Sequence, residues 1–408
     1  MNIIAATACT LRCSSKQKHR PATSIAMTAL ASTLMFYSAS ISAAEAIVFS
    51  EQELSVISSF GPWPPKFESD SSNRVSGNSL AREFGRTLFF DTLLSKNNDL
   101  ACASCHQADK YFTDGLALAQ GAVELERNTQ SLMNIAGNRW FGWGGESDSL
   151  WSHSIRPLTS EQEMASSADI VKERILNNTD YRQLYSDIFK TAPNDDDSDT
   201  VMINVSKALA AYQETLISPR TQFDQFRDAV VVNNQTAMAR YPEPAKRGLK
   251  LFINEGNCQL CHLGANFSSK EFADAAVPYF TRNGVDSGRY QGIKTVMDSP
   301  YNLLSQYNDA AEKADIESNT LSIGHVQLQH KNWGEFKIPS LRGALYTAPY
   351  MHNGSLKSLQ EVVQHYSNID EERLHSDGVN ILRPLNLTEQ QANDLLLFLQ
   401  TLSIPESQ

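Results

Sequence analysis

The chain has 408 residues, of which 41% are hydrophobic, and carries a formal net charge of −11 at pH 7. That length predicts two or three domains, and we take two as the starting interpretation. The acidic balance and the lack of a basic tract in the sequence exclude nucleic acid as the partner.

The first 44 residues have the composition of a secretory signal peptide. Four basic residues lie between positions 12 and 20, and an apolar run from Ala22 to Ile41 follows and ends in Ser42-Ala43-Ala44. This arrangement predicts a leader that is cleaved near Glu45, and its many Ser, Thr and Ala residues argue against an uncleaved membrane anchor. We therefore expect a periplasmic protein without stable membrane insertion. Its net charge becomes −15, because cleavage removes four basic residues and no acidic ones.

The four cysteines beyond the leader form two motifs of the same spacing, each followed directly by histidine. These are CASCH, with Cys102, Cys105 and His106, and CQLCH, with Cys258, Cys261 and His262. A zinc ribbon would need the pairs about 15 to 20 residues apart, whereas here they are more than 150 apart. A redox-active disulfide leaves the repeated histidine unexplained. Covalent attachment of haem explains both features, since the thiols add to the haem vinyl groups and the histidine coordinates the iron.

The sequence around the two motifs also repeats. An amphipathic helix is predicted before each motif, in FGRTLFFD (Phe84 to Asp91) and RGLKLFIN (Arg247 to Asn254), and a closing helix after each, in SKALAAYQETL (Ser206 to Leu216) and LTEQQANDLLLFLQTL (Leu387 to Leu402). The last helix begins with a capping box, Thr388 and Gln391, and places Leu395, Leu399 and Leu402 on one face.

This order predicts a mainly α protein of two tandem cytochrome c-like domains, each with a covalently bound c-type haem. After the leader, residues 1–44, we place the domains at 45–217 and 218–408. The join lies near Ser218 to Pro244, a stretch with three prolines. The acidic run Asn194 to Asp199 is interpreted as a surface loop.

From about Ser79 to Leu402 the sequence resembles the bacterial superfamily of di-haem cytochrome c peroxidases and MauG proteins. The matching stretches include GRTLFFD, CASCHQADKYFTDG, LERNTQSLMN, AKRGLKLF, CQLCH and FKIPSLRGALYTAPYMHNGSLKSLQEVVQHY. The long segment from Asp298 to Glu335 resembles the MauG-like branch, including the MbnH proteins; His325 and His330 within it are expected on the surface. The resemblance implies that the amino-terminal haem is peroxidatic and the carboxy-terminal haem transfers electrons.

The resemblance also implies residues for the peroxidatic site. Ala122 occupies the position of a blocking histidine in relatives that need reductive activation, which implies an iron open to peroxide. Trp143 matches a tryptophan between the haems, and Glu163 matches a distal glutamate that moves protons on peroxide. Two positions depart from the pattern: His153 replaces glutamine, and Glu146 replaces arginine. His153 is interpreted as a hydrogen-bonding partner of peroxide, with ligation of the first iron, or simple packing, as alternatives.

At the second haem the resemblance implies Tyr366 as the distal ligand, with Met351 as the nearest competitor. A phenolate ligand lowers the reduction potential of a haem, while methionine raises it. The resemblance further implies a calcium ion between the domains, bound by the Asn128 side chain and the carbonyls of Thr347 and Pro349, and oxygen ligands suit that cation.

The functional prediction is therefore a periplasmic di-haem peroxidase that reacts with hydrogen peroxide and oxidises an external donor. The donor is either a redox protein, a cytochrome c or cupredoxin, or a tryptophan or tyrosine of a partner polypeptide. Ala122 and Tyr366 favour the partner polypeptide. The alternative function is a non-catalytic di-haem electron-transfer cytochrome.

Overall fold

The computed structural model describes residues 47–278, 280–310, 323–370 and 381–404. The predicted leader lies outside these ranges. The described part of the chain is mainly helical, as predicted, with four short strands. The helices are α1 (Glu51–Ser59), α2 (Ser79–Phe90), α3 (Cys102–Cys105), α4 (Leu150–Thr159), α5 (Ala168–Asn177), α6 (Thr179–Phe189), α7 (Ser198–Gln213), α8 (Gln222–Val231), α9 (Gln235–Met238), α10 (Glu243–Ile253), α11 (Arg289–Asp298), α12 (Leu359–Ser367) and α13 (Glu389–Gln400).

The strands form two small antiparallel pairs. β1 (Phe272–Ala273) pairs with β4 (Phe336–Lys337), and β2 (Phe280–Thr281) pairs with β3 (Gly284–Val285). Within the β1–β4 pair, Phe272 lies opposite Lys337. These strands are too short to build a core, so the helices do so.

The predicted helix before each motif and the predicted helix after each motif are confirmed, and they cross in pairs. In the first pair a Cβ atom on Gly85 of α2 would lie 1.9 Å from the carbonyl oxygen of Ala208 in α7. In the second pair a Cβ atom on Gly248 of α10 would lie 2.0 Å from the carbonyl oxygen of Asp394 in α13. Only glycine allows such close backbone contact. The internal repeat in the sequence is therefore also a repeat in the packing.

The helix ends follow the local sequence. Asn78 begins α2 by accepting hydrogen bonds from the N–H groups of Leu80 and Ala81. The predicted capping box of α13 is present, with Thr388 and Gln391 bonded reciprocally. The three leucines predicted on its inner face, Leu395, Leu399 and Leu402, are all buried.

Two hydrophobic clusters form the core. The first draws its buried residues from between Val75 and Leu216, with Phe84 and Trp151 among the completely enclosed side chains. The second combines residues 223–402 with the start of the described chain, where Phe49 and Phe60 contribute. The division into domains at residue 217 stays a prediction.

The segment predicted as the join, 218–244, is more ordered than a linker. It contains α8 and α9, and α8 places Phe223 and Phe226 in the second cluster. The acidic run Asn194 to Asp199, predicted as a surface loop, is only partly a loop. Its residue Asp197 caps α7, which starts at Ser198. Among the residues that the structure describes, no helix has the length and apolar character needed to cross a membrane.

Candidate active site

The first motif forms a single helical turn that turns His106 back towards the cysteines. The backbone N–H of His106 donates to the Cys102 carbonyl at 2.9 Å, and the Nδ1 of His106 lies 3.1 Å from the carbonyl oxygen of Phe112. Donation by Nδ1–H to that carbonyl leaves Nε2 with a free lone pair, as a haem ligand needs. Burial lowers the pKa of His106, which favours the neutral, ligating form.

The second motif repeats this arrangement. The N–H of His262 donates to the Cys258 carbonyl at 2.9 Å, and its Nδ1 lies 3.0 Å from the Phe267 carbonyl oxygen. Phe112 and Phe267 both have left-handed backbones, with φ of 59° and 49°, which non-glycine residues adopt rarely. Two equivalent phenylalanine carbonyls therefore orient the two histidines, although the sequence analysis identified neither.

The cysteines do not have the properties of a redox or zinc site. All four are free thiols, and burial raises the pKa of Cys102 and of Cys258 to about 12, whereas reactive CxxC thiols have a lowered pKa. Within the described ranges no three His, Cys, Asp or Glu side chains cluster closely enough to hold a metal ion. Paired neutral thiols beside a neutral histidine with a free Nε2 do fit covalently bound haem.

A cavity at the first motif brings together five of the residues predicted from sequence. Its volume is about 70 Å³, room for a few molecules of the size of water. Its lining includes Cys102, Cys105, His106, His153 and Glu163. The motif and the predicted peroxide-handling residues therefore share one space.

Glu163 lies in this cavity on a segment that is held by the loop containing Ala122. The N–H of Ala122 donates to the Glu163 carbonyl at 3.1 Å, and the N–H of Val123 donates to the Gln162 carbonyl at 3.2 Å. Burial raises the pKa of Glu163, although the nearby charge of Arg156 opposes the rise. A carboxyl group with a raised pKa is suited to exchange protons near neutral pH.

His153 lines the same cavity, and its ring packs against a neighbouring aromatic ring. It stacks on Phe141 with the ring centroids 6.0 Å apart, and its Nδ1 is buried without a hydrogen-bond partner among the described residues. Burial lowers the pKa of His153 to about 3, so the ring is neutral.

Glu146 belongs to a charge network beside this site. Its carboxylate pairs with Arg127 and lies 3.6 Å from Arg156, and it also accepts from the N–H of Gly144 at 3.2 Å. Arg127 in turn makes a bidentate pair with Asp286, at 2.6 and 2.7 Å. Burial alone would raise the pKa of Glu146, but Arg127 and Arg156 lower it to about 2. No local pattern in the sequence predicts this network.

Trp143 is buried and fixed at both its ring and its backbone. Its Nε1–H donates to the Asn128 carbonyl at 2.8 Å, and its own carbonyl accepts from the N–H of Lys337 at 2.8 Å. The other two tryptophans of this region, Trp140 and Trp151, are buried packing residues.

Tyr366 lies near the second motif, at the end of α12. Burial raises the pKa of its phenol, and the charges of Cys258 and Cys261 add to that rise, which places the three side chains close together. Met351, the competing ligand, has a left-handed backbone with φ of 73° in the loop before α12.

The predicted calcium ligands lie on two segments that touch. The N–H of Asn128 donates to the His352 carbonyl at 2.7 Å, which brings Asn128 against the loop that contains Thr347 and Pro349. The amide nitrogen of Asn128 donates to the Leu116 carbonyl at 2.7 Å, which leaves its side-chain oxygen for a cation. This donor set fits calcium. His325 and His330 are exposed, as predicted.

A neutral histidine beside two cysteine thiols is suited to hold haem. The cavity at the first motif is also lined by the carboxylic acid of Glu163, which suits a reaction with peroxide. The fold and the site thus define a haem peroxidase, an oxidoreductase. A family model described as di-haem cytochrome c peroxidase matches residues 80–230. The chain is similar to MauG proteins and di-haem cytochrome c peroxidases.

Two curated relatives match most of the chain. The methylamine utilization protein MauG of Methylorubrum extorquens is 29% identical over 355 residues, covering 86% of each chain. The cytochrome-c peroxidase IdrP1 of a Pseudomonas species is 29% identical over 357 residues, covering 85% of this chain and 86% of that protein.

Two solved structures share the fold. A MauG-like protein associated with microbial copper homeostasis has a TM-score of 0.61 and 23% identity, covering 85% of this chain and 96% of that one. The diheme peroxidase BthA from Burkholderia thailandensis has a TM-score of 0.63 and 20% identity, covering 83% and 88%.

Proposed function

We propose that this protein is a periplasmic di-haem enzyme of two cytochrome c-like domains that reacts with hydrogen peroxide at the first motif and oxidises an external donor through the second. The observation that carries the proposal is the shared cavity of His106, His153 and Glu163. A pure electron carrier has no need of a cavity with a proton-exchanging acid beside its haem.

The first motif would hold its haem through Cys102, Cys105 and His106. Such a haem supplies an iron that binds peroxide and takes up its oxidising equivalents. The chain's own contribution is to manage protons and access. Glu163, with its raised pKa, is suited to take the proton from one peroxide oxygen and return it to the other. The neutral ring of His153 is suited to hydrogen-bond the bound peroxide.

Ala122 supports an open first site. A methyl group cannot ligate iron, and the loop around Ala122 is tied by hydrogen bonds to the backbone of residues 162 and 163. The site would therefore accept peroxide without prior reduction.

The second motif would hold its haem through Cys258, Cys261 and His262, and Tyr366 would supply a further ligand. A phenolate stabilises the oxidised iron, which suits a site that shares oxidising equivalents rather than one that accepts electrons from a cytochrome. Trp143 is proposed as the aromatic group between the two sites. Asn128, whose carbonyl accepts from the indole N–H, would link it to calcium.

These features favour a partner polypeptide, through its tryptophan or tyrosine, as the donor over a cytochrome c or a cupredoxin. The names of MauG and of the cytochrome-c peroxidases among the relatives are compatible with either donor.

The test is to add hydrogen peroxide to the ferric protein purified with its haems. A rapid change in the absorption of both haems that persists without a donor supports oxidation of a partner polypeptide. Rapid turnover that requires reduced cytochrome c or cupredoxin supports the redox-protein donor. A ferric spectrum that does not change with peroxide contradicts the enzyme and leaves the non-catalytic electron carrier.

A further inference from the structure

A donor polypeptide needs a route to the site of peroxide reaction that does not pass through the cavity at the first motif. That cavity has a volume of about 70 Å³, so hydrogen peroxide fits and the side chain of a tryptophan or tyrosine does not. Oxidising equivalents must therefore leave through the protein, as electrons move inward from the surface along side chains that can be oxidised. Tryptophan and tyrosine are suited to this transfer.

Three of the five tryptophans in the chain have a buried cation against the ring. The cation lies 3.8 to 5.2 Å from the ring centroid, and the pairs are Arg342 with Trp63, Arg289 with Trp140, and Lys207 with Trp151. A cation is attracted to the face of a neutral indole, but it repels the positive charge that remains when the indole loses an electron. These three tryptophans are therefore harder to oxidise.

Trp143 and Trp333 are the two tryptophans without such a cation. Within the described ranges, no lysine or arginine side chain lies over either ring. The contrast is sharpest with Trp140, only three residues from Trp143, because its partner Arg289 also donates to the Gly144 carbonyl at 3.2 Å and is held in place. Trp143 is buried, whereas Trp333 is half-buried and reaches solvent.

Trp333 packs against Tyr290, and their ring centroids are 5.1 Å apart. Both side chains are half-buried, so water can take up a proton that either ring loses on oxidation. Lys294 lies 4.7 Å from the Tyr290 ring centroid, but it is exposed, so solvent screens its charge. A tyrosine that loses an electron and its phenol proton also ends neutral, and a nearby cation opposes that change little. The pair is therefore an oxidisable group at the surface.

The helix that carries Tyr290, α11, lies directly against the chain beside Trp143. A Cβ atom on Gly292, two residues after Tyr290, would lie 1.9 Å from the carbonyl oxygen of Gly144. Gly144 follows Trp143 in the chain, so Tyr290 and Trp143 are each within two residues of this backbone contact.

Trp333 has a second connection to the same position. The N–H of Lys337 donates to the Trp143 carbonyl at 2.8 Å, and the four-residue step from Trp333 to Lys337 spans at most about 14 Å. The N–H of Arg289 donates to the Glu335 carbonyl at 2.7 Å, which ties this segment to the start of α11. The segments that carry the aromatic pair therefore hold it close to Trp143.

We propose that Trp333, paired with Tyr290, is the surface exit through which oxidising equivalents pass from Trp143 to the donor. This inference rests on the proposed function and names the route by which its donor is oxidised. Hydrogen peroxide takes up two electrons and two protons as it becomes two molecules of water. In each of two successive steps, Trp333 gives one electron inward to Trp143 and releases its indole proton to water. It regains an electron and a proton from a tryptophan or tyrosine of the donor polypeptide, which is thereby oxidised.

The test compares Trp333→Phe and Trp333→Tyr with the wild type, all loaded with haem. Phenylalanine keeps an aromatic ring against Tyr290 but cannot be oxidised, whereas tyrosine can. After one equivalent of hydrogen peroxide, freeze-quench electron paramagnetic resonance should show a resolved indole radical in the wild type and none in Trp333→Phe. Oxidation of the probe N-acetyltryptophanamide should be slower by about tenfold or more in Trp333→Phe and should largely recover in Trp333→Tyr.

Tyr301→Phe is the matched control. Tyr301 belongs to another half-buried aromatic pair, with Tyr307 at 6.0 Å between ring centroids, and its replacement should leave both readouts unchanged. The rate at which peroxide changes the absorption of the ferric protein should be the same in every variant, because Trp333 does not line the first cavity. That equality also shows that each variant is folded and loaded.

Persistence of either the indole radical or the wild-type probe rate in Trp333→Phe overturns this inference and leaves the proposed function intact. Equal slowing of the probe in Trp333→Phe and Trp333→Tyr also overturns it, because the residue would then act through packing alone. A wild-type protein whose absorption does not respond to peroxide overturns both the exit and the proposed function.

Discussion

The carbonyl oxygen of Ala208 lies 1.9 Å from the point where a Cβ atom on Gly85 would be placed. No side chain fits between α2 and α7 at this crossing, and Gly248 and Asp394 repeat the relationship between α10 and α13. Each motif is therefore preceded by a helix whose position depends on one glycine.

Gly85→Ala and Gly248→Ala are expected to destabilise the fold. Alanine improves helix propensity by about 1 kcal/mol, but separating two packed helix backbones costs more, so a net loss of about 1–3 kcal/mol is expected. Chemical denaturation measures the change. Gly324→Ala is the control, because no residue in the described ranges lies within 4 Å of its added methyl group. Equal stability of all three variants would contradict the close crossing.

The haem stoichiometry should follow the cysteine pairs. Replacing Cys102 and Cys105 together with alanine is expected to reduce the covalently attached haem from two per chain to one, because each haem is attached through the two cysteines of its own motif. The same result is expected for Cys258 with Cys261, and none should remain when all four are replaced. Pyridine haemochrome spectra of the denatured protein give the count. Retention of two covalent haems in either double variant would refute the assignment.

Glu163→Gln should slow the reaction of the ferric protein with peroxide by about a hundredfold, because glutamine cannot exchange the proton. Stopped-flow absorption measures the rate, and the haem content should not change. The exposed neighbour Glu161 provides the matched control, Glu161→Gln, which should react as the wild type does. An unaltered rate in Glu163→Gln would remove this residue from the mechanism.

Tyr366→Met is expected to raise the reduction potential of the second haem, since a thioether ligand favours the reduced iron more than a phenolate does. Spectroelectrochemical titration resolves the two haems. Met351→Leu distinguishes the competing ligand and should leave the potential unchanged. If Met351→Leu shifts the reduction potential and Tyr366→Met does not, Met351 is the ligand of the second haem and Tyr366 is not.

The charge network around Glu146 should make the free energy of unfolding depend on pH in the acidic range. The pKa of Glu146 falls from 4.5 to about 2 in the folded protein, so its stabilising contribution is complete above pH 4.5 and is lost as the pH falls towards 2. At neutral pH this contribution is on the order of 3 kcal/mol. Glu146→Gln should thus be less stable than the wild type at pH 7, and the gap should narrow on acidification. A gap that stays constant with pH would contradict the depressed pKa.

The sequence predicts those parts of the fold and site that depend on residues close together in the chain. The CxxCH spacing indicated both motifs, and the apolar periodicity with the Thr388 capping box indicated the helices before and after them. The prolines of the stretch 218–244 do not all interrupt secondary structure. Pro242 and Pro244 instead lie at the start of α10, where proline is favoured, and Phe223 anchors α8 in the core.

Other features had no local signal at all. Arg127 meets Glu146 from 19 positions away and Asp286 from 159, so only the folded chain brings the charges together. The carbonyls of Phe112 and Phe267 orient the histidines through left-handed backbone at phenylalanine, a residue type that gives no indication of that conformation.

The second core has a consequence for how the protein is made. Phe60 stacks on Phe267 with ring centroids 4.6 Å apart, and Phe398 completes the same cluster from the far end of the chain. Residues 75–216 can therefore pack together before the rest of the chain, while the aromatic side chains near residue 60 complete their cluster only when the last helix is present. Truncation before residue 60 or after residue 398 should thus destabilise the half of the molecule that holds Cys258 and Cys261.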